Sequence, residues 1–375
     1  MPRRILKMAV VGAMSCIVLA ACSNGNSGPS ARPGSGVQKQ ASAQRASSQR
    51  VVQTYKSGLS FPVDMAWVRG TKKIFFTEKN TGRIRVMQGR KLLAGPCARL
   101  AVNAQGERGL LGIALSPRFK SNHQLFVYYT NAAPLENRVA RFVVSHNRCA
   151  HKRDIITHIS ASSSGYHNGG QLEFVRGKLF VSVGEAHDAA FAQDRAKRLG
   201  KILRYNPDGS IPEGNPFRRS GGRNPVWSYG HRNPFGLAHQ RGTRRLFETE
   251  NGPECDDELN RIVKGRNYGW GGNYSCGSAG VGPNPKPPLR RWSSVIVPTD
   301  ATWYRGRLGA WKNSLFVGDY GTGRLHRFVL DPTGTRVRVE RIVYDSGAPI
   351  VDVATGPGGW LYFLTTDSIK RFVRR

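Results

Sequence analysis

Acidic residues are scarce in this chain: 24 aspartates and glutamates stand against 57 lysines and arginines, for a formal net charge of +33. A surface of that sign draws anionic lipid, acidic polymers or nucleic acid over roughly a Debye length. The basic residues are nevertheless scattered singly. No dense basic run is interleaved with stacking aromatics, which argues against a specific nucleic-acid site. Cysteine is also rare, with six in 375 residues and none in CxxC spacing, so a zinc centre or a redox dithiol is not expected. The one long apolar run lies in the opening "MPRRILKMAVVGAMSCIVLAAC" and is too short to span a bilayer comfortably. Helical periodicity is nearly missing, and "FAQDRAKRLGKIL" holds a turn or a short helix at most.

That opening stretch has a basic start, an apolar core and small residues before Cys22, the pattern of an export signal over residues 1–21. Leu19-Ala20-Ala21-Cys22 resembles the bacterial lipobox, in which the cysteine carries lipid. The expectation is a lipoprotein of the cell envelope, anchored to the membrane on its extracytoplasmic face; plain cleavage is the alternative. Residues 22–50 are Ser, Gly, Ala, Gln and Arg with almost no large apolar side chain, and read as a disordered tether. Residues 51–375 read as one large all-β unit. With Cys16 removed and Cys22 lipidated, Cys97, Cys149, Cys255 and Cys276 remain, and an even count in an exported chain favours disulfides. Three connectivities are possible. Cys97–Cys149 and Cys255–Cys276 join the cysteines nearest in sequence.

A short strand with an aromatic or aliphatic core recurs six times, as "KIFFTEK" at Ile74, "QLFVYYT" at Leu125, "KLFVSVG" at Leu179, "RLFETEN" at Leu246, "SLFVGDY" at Leu315 and "WLYFLTT" at Leu361. In five of the six a second strand with a basic residue follows, such as "GRIRVM" or "GRLHRFVL"; after Leu246 the sequence offers "DELNRIV" instead. Apolar strands such as "GLLGIALSPRF" and "GQLEFVRG" precede several of the pairs. Alternating patterning and Gly-rich loops, repeated six times with three or four strands per unit, predict a six-bladed β-propeller of four-stranded blades. Ligands of such folds bind where loops meet at the channel mouth.

Four stretches break the blade rhythm: "GERGLLGIAL", "GYHNGGQLEF", "YGHRNPFGLA" and "ETENGPECDDELN" running into "GRNYGW". Together with "GKILRYNPDGSIPEGNPF" they resemble the soluble quinoprotein glucose dehydrogenase, or glucose/sorbosone dehydrogenase, family, which includes PQQ-dependent aldose sugar dehydrogenases. The resemblance implies a six-bladed propeller holding pyrroloquinoline quinone (PQQ) over a Ca2+ ion at the mouth, and oxidation of a sugar or polyol. His167 matches the family's base, a role that suits a neutral imidazole; turn capping is the alternative. Arg232 and Asn233 match residues that reach the quinone oxygens, although "GHRNP" could equally lock a loop through Arg232 and backbone carbonyls. His231 reads as structural. Gly252 and Pro253 match carbonyl ligands of the cofactor's calcium, while Glu258 and Tyr268 match a second, structural calcium. The four carboxylates Glu254, Asp256, Asp257 and Glu258 would repel one another without a cation or arginines nearby. Glu107 stands where sugar-oxidising members carry a glutamine, and Tyr166 where they carry an aspartate.

Near the C-terminus the family's basic residues for the PQQ carboxylates are missing: Pro349 and Val351 replace an Arg-x-Arg pair, and Asp319 and Tyr320 stand where a lysine is expected. Arg305, Arg307 and Arg324 are the candidate substitutes. Two functions therefore compete. One is a membrane-anchored quinone-dependent dehydrogenase passing electrons to a respiratory acceptor. The other is a propeller that has lost PQQ and binds carbohydrate or a wall ligand. A calcium-dependent lactonase would need a ring of inward acidic and amide ligands that spacing alone does not identify.

Overall fold

The structure, a computed structural model, describes residues 50–220 and 222–375. The export signal, Cys22 and nearly all of the tether lie outside the described residues. Each recurrent motif is the second strand of an antiparallel blade, and there are six blades. Blade 1 comprises Pro62–Trp67, Lys73–Glu78 and Arg83–Gln88, with its outer position shared by Lys91–Leu92 and Ala98–Arg99. Blade 2 is Leu110–Leu115, Gln124–Asn131, Glu136–Ser145 and Arg148–Ser160; blade 3 is Leu172–Val175, Lys178–Val183, Lys201–Tyr205 and Val226–Tyr229. Blade 4 is Pro234–His239, Leu246–Glu250, Asp257–Ile262 and Arg290–Trp292; blade 5 is Pro298–Tyr304, Ser314–Asp319, Arg324–Leu330 and Val337–Asp345. Blade 6 is Asp352–Thr355, Leu361–Leu364 and Ile369–Arg374, and its outer strand is Arg50–Lys56 from the other end of the sequence.

The second strands are mostly apolar and almost wholly buried because both of their faces are covered by neighbouring blades, as in Leu361–Leu364, where every residue is buried. The inner strands pack side by side in a closed ring around the axis. In each blade the start of the inner strand lies opposite the end of the second, as at Pro62 with Glu78, Pro234 with Glu250 and Pro298 with Asp319. Loops entering the inner strands and loops leaving the second strands thus share one face, the mouth. The short helix Ala190–Gln193 overlaps the start of the one stretch read as weakly helical, which begins at Phe191. Both disulfides take the nearest-neighbour pairing: Cys97–Cys149 staples blade 1 to the outer strand of blade 2, and Cys255–Cys276 closes a loop on blade 4.

Candidate functional site

His167 lies on the loop entering the inner strand of blade 3, with a φ of 56° that few non-glycine residues adopt. An Asn-Gly-Gly run follows it, and the opposing Gly184 permits the approach: a Cβ there would sit 2.2 Å from the His167 carbonyl oxygen. The imidazole is 6 % exposed. Its Nδ1 lies 2.8 Å from Glu185 Oε1, while its Nε2 makes no hydrogen bond among the described residues. A carboxylate on Nδ1 fixes the tautomer with the proton on that nitrogen, leaving the Nε2 lone pair free to accept another. Glu107 binds the same loop: its Oε2 accepts from the His167 backbone N–H at 2.8 Å and from Asn233 Nδ2 at 3.1 Å. Asn233 Oδ1 in turn accepts from the Gly169 N–H. Three blades are thereby tied together at one point of the mouth.

Arg232 lies beside them. Its Nη1 donates to the carbonyls of Asn251 (3.0 Å) and Gly252 (2.7 Å), and its guanidinium stacks over Trp270 at 5.3 Å. The Nε is buried without a partner. Burial pulls this side chain's pKa down, opposed by the charges of Glu185, Glu250 and Glu107. Glu250 organises the turn: its Oε1 accepts from the backbone N–H groups of Arg232 and Asn233, and its Oε2 meets His231 Nδ1 at 2.8 Å. His231 is fully buried, bonded to Ser228 and stacked on Tyr268. Gly252 and Pro253 line a small cleft with Arg232, Glu250 and Glu258, and the Gly252 carbonyl there already serves the Arg232 guanidinium.

The acidic turn divides its charges. Asp257 accepts from the N–H groups of Gly252, Ile296 and Val297, Asp256 binds Tyr274 and the Gly277 N–H, and Glu258 pairs with Arg291 at 3.2 Å. Burial nevertheless pushes Glu258 up to about 7. Its neighbours explain why a cation would be welcome: both oxygens of Glu248 and Asn260 Oδ1 are buried without partners. Glu248 occupies the position held by an apolar residue in the second strand of every other blade, as with Val181 and Val317. Orphaned oxygens on two adjacent strands fit a hard cation with oxygen ligands. The Tyr268 hydroxyl is spent on the Arg261 carbonyl and the Val263 N–H.

Blades 5 and 6 are different. Asp319 is fully buried and accepts from Thr322 and from His326 Nε2 at 2.9 Å, Tyr320 is 40 % exposed, and Val351 packs in the apolar core. Arg305 and Arg307 follow the far end of the blade 5 inner strand, on the face opposite the mouth, so neither replaces the missing cations. Arg324 is on the mouth side but pairs with Asp345. Lys79, leaving the second strand of blade 1, is brought to the mouth instead; its Nζ donates to Asn80 and the Ala104 carbonyl and feels the Glu107 charge. Tyr166 is half exposed beside His187, whose ring meets His167 edge-on at 4.8 Å.

Glu185 and Lys79 escaped the reading of the sequence. The repeat carried part of the signal: the second strands of blades 1, 4 and 5 end in Glu78, Glu250 and Asp319, whereas in blade 3 the equivalent residue is Val183 and the carboxylate, Glu185, follows two residues later.

The model of the glucose/sorbosone dehydrogenase family matches residues 59–374. Aldose sugar dehydrogenase YliI of Escherichia coli is 31 % identical over 339 residues, covering 84 % of this chain and 90 % of its own. Quinoprotein glucose dehydrogenase B of Acinetobacter calcoaceticus is 26 % identical, covering 83 % and 84 %. Among solved structures, the PQQ-bound aldose sugar dehydrogenase of Streptomyces coelicolor superposes with a TM-score of 0.75 at 29 % identity, covering 87 % of this chain and 98 % of the other. On the match to the family model, which takes in the mouth and every blade strand but Arg50–Lys56, the chain belongs to the glucose/sorbosone dehydrogenase family.

Proposed function

We propose that this protein is a quinone-dependent dehydrogenase acting on the CH–OH group of an aldose or polyol. The carrying observation is the His167–Glu185 pair at the mouth, with Nε2 unbonded and with Arg232, Asn233 and Glu107 gathered around it. When bound, PQQ supplies the acceptor for the hydride equivalent of the substrate carbon. The protein's own part is to move the proton and to place charge. His167 Nε2 takes the hydroxyl proton, and the Glu185 carboxylate steadies the imidazolium that results. Arg232 and Asn233 present a cation and an amide donor where negative charge develops. Glu107 holds the histidine loop and Asn233 in mutual register. Calcium fits the orphaned oxygens near Glu258, and the Gly252–Pro253 turn borders the cleft where the cofactor's own ion would sit.

The donors for the quinone end are in place, whereas the basic clamp for its carboxylates is reduced to Lys79. Weak PQQ affinity follows, and a propeller that binds carbohydrate without redox chemistry is the competing reading, favoured by the buried Asp319–His326 pair and by Val351. Titration of PQQ and Ca2+ into purified apoprotein, with dye reduction followed across aldoses and polyols, separates the two. Saturable binding with turnover supports the dehydrogenase; no binding at tens of micromolar PQQ overturns it. The "LAAC" motif and two disulfides support export and lipid anchoring at Cys22, with a respiratory carrier as electron acceptor.

A further inference from the structure

Beneath the mouth, the six inner strands place equivalent residues at one height. The next residue of each inner strand (Met65, Ile113, Leu172, Leu237, Ala301, Val353) lies opposite the third residue of the recurrent second-strand motif. The ring itself is therefore Asp64, Gly112, Gln171, Gly236, Asp300 and Asp352. The two glycines admit no side chain: a Cβ at Gly112 would lie 2.2 Å from the Gly170 carbonyl oxygen, and one at Gly236 2.6 Å from that of Thr299. What remains on the axis is three carboxylates and one amide.

Each aspartate is held by a backbone N–H of an adjacent blade. Asp64 Oδ2 accepts from Ile113 at 2.6 Å, Asp352 Oδ2 from Met65 at 3.0 Å and Asp300 Oδ1 from Leu237 at 3.2 Å. The three carboxylates offer oxygens within 4.8 Å of one another and are 5 %, 7 % and 0 % exposed for Asp64, Asp300 and Asp352. Among the described residues no lysine, arginine or histidine hydrogen-bonds or ion-pairs with them, although the chain has 57 lysines and arginines. Two further observations point to a ligand. Among the described residues, Asp352 Oδ1 is buried with no N–H or O–H donor to satisfy it, and only the Asp300 carboxylate lies beside it. A cavity the size of one water or small ion also adjoins the ring, bounded by Asp64, Gln171, Asp300, Val63, Leu111 and Phe235.

We infer that this ring is a buried cation site, distinct from the mouth, that binds one hard divalent ion, calcium, through Asp64, Asp300 and Asp352. Only oxygen donors are present, which disfavours zinc, and three carboxylates with one amide suit the flexible oxygen coordination of calcium better than the strict octahedron of magnesium. Three carboxylates against one dication leave a single negative charge, which the N–H groups of Met65, Ile113 and Leu237 face. Without an ion, burial and mutual repulsion hold Asp64 and Asp352 well above the ordinary carboxylate range. Enclosure from solvent makes the site a structural pin across blades 1, 5 and 6, and not a hydrolytic centre open to substrate.

The test is metal content. Protein stripped with EDTA, reloaded with Ca2+ and desalted is measured by plasma mass spectrometry for the wild type, Asp352→Asn, Glu258→Gln and the combination. The expected result is a loss of about one calcium per chain in Asp352→Asn, additive with any loss from Glu258→Gln, and a calcium-dependent rise in melting temperature that shrinks in Asp352→Asn. Equal calcium in wild type and Asp352→Asn overturns the site and assigns the ring to shared protons. Should the variant fail to fold, wild-type crystals soaked in Tb3+ decide: an anomalous peak among the three carboxylates supports the site, and none there refutes it. PQQ takes no part in either measurement, so the outcome is independent of the dehydrogenase reading.

Discussion

The two halves of the mouth are built from the same repeat and have opposite characters. On blades 3 and 4, the loop carboxylates Glu185 and Glu250 brace side chains that face the opening: His167 by Nδ1, and Arg232 and Asn233 by their backbone N–H groups. On blade 5, the corresponding carboxylate, Asp319, turns inward and satisfies Thr322 and His326, and on blade 6 Val351 joins the core. A carboxylate at or just past the end of the second strand thus has two uses. Where it braces a loop it orients side chains at the mouth, and where it binds a neighbouring strand it stabilises a blade.

The largest effect should come from the first half. His167→Asn is expected to lower dye reduction roughly 10²–10⁴-fold, the usual contribution of a positioned base, with PQQ affinity by fluorescence titration changed little. Turnover near wild type would place the base elsewhere. Glu185→Gln should lower kcat about 10–100-fold, as loss of an orienting partner does, and should displace the acid limb of the pH–rate profile. A lowered rate with an unmoved profile would reduce Glu185 to packing.

The second half can be altered by adding what it lacks. Tyr320→Lys places a cation at an exposed site on blade 5; a charge-assisted contact worth about 1.5–3 kcal/mol would tighten PQQ binding roughly tenfold or more. Lys79→Met should weaken it by a similar factor. If both leave the affinity unchanged, the carboxylates of the quinone do not lie toward blades 1, 5 and 6.

The smallest effect is on stability. Burial opposes the charge of His326, but the Nε2 hydrogen bond accepted by Asp319 and the nearby Glu340 carboxylate, 3.7 Å from Nδ1, hold it above its ordinary 6.5. Burial likewise opposes ionisation of Asp319, yet bonds from His326 and Thr322 hold it below its ordinary 3.8. The histidine's contribution is present below about 6.5 and fades as pH rises through its folded value; the aspartate's is present above about 3.8 and fades as pH falls. His326→Gln should therefore lower the melting temperature most near pH 5–6 and less near pH 9. A pH-independent difference would mean that the pair is neutral.

Much of the architecture was legible because a propeller repeats its physics. The six aromatic-aliphatic motifs read as half-buried strands and their count gave the blade number; the structure buries them on both faces, because each is sandwiched between neighbouring blades. The strand Arg50–Lys56 was not assigned to a blade, because its partner Ile369–Arg374 lies over 300 residues away and hydrophobic pattern says nothing of such pairing. In the site, His167, Arg232 and Asn233 were found through the resemblance, while Glu185 and Lys79 became visible only when loops of different blades met. The ring of Asp64, Asp300 and Asp352 was hidden for the same reason: each aspartate looks unremarkable in its own strand.

The placement of the first strand in the last blade has a further consequence for how the molecule is made. A chain that has emerged as far as blade 5 still has an open sheet edge at each end of the arc, and its leading strand has nothing to pair with. Closure awaits the final residues, and the many contacts distant in sequence predict slow folding. The ring therefore cannot lock before the whole chain has been made.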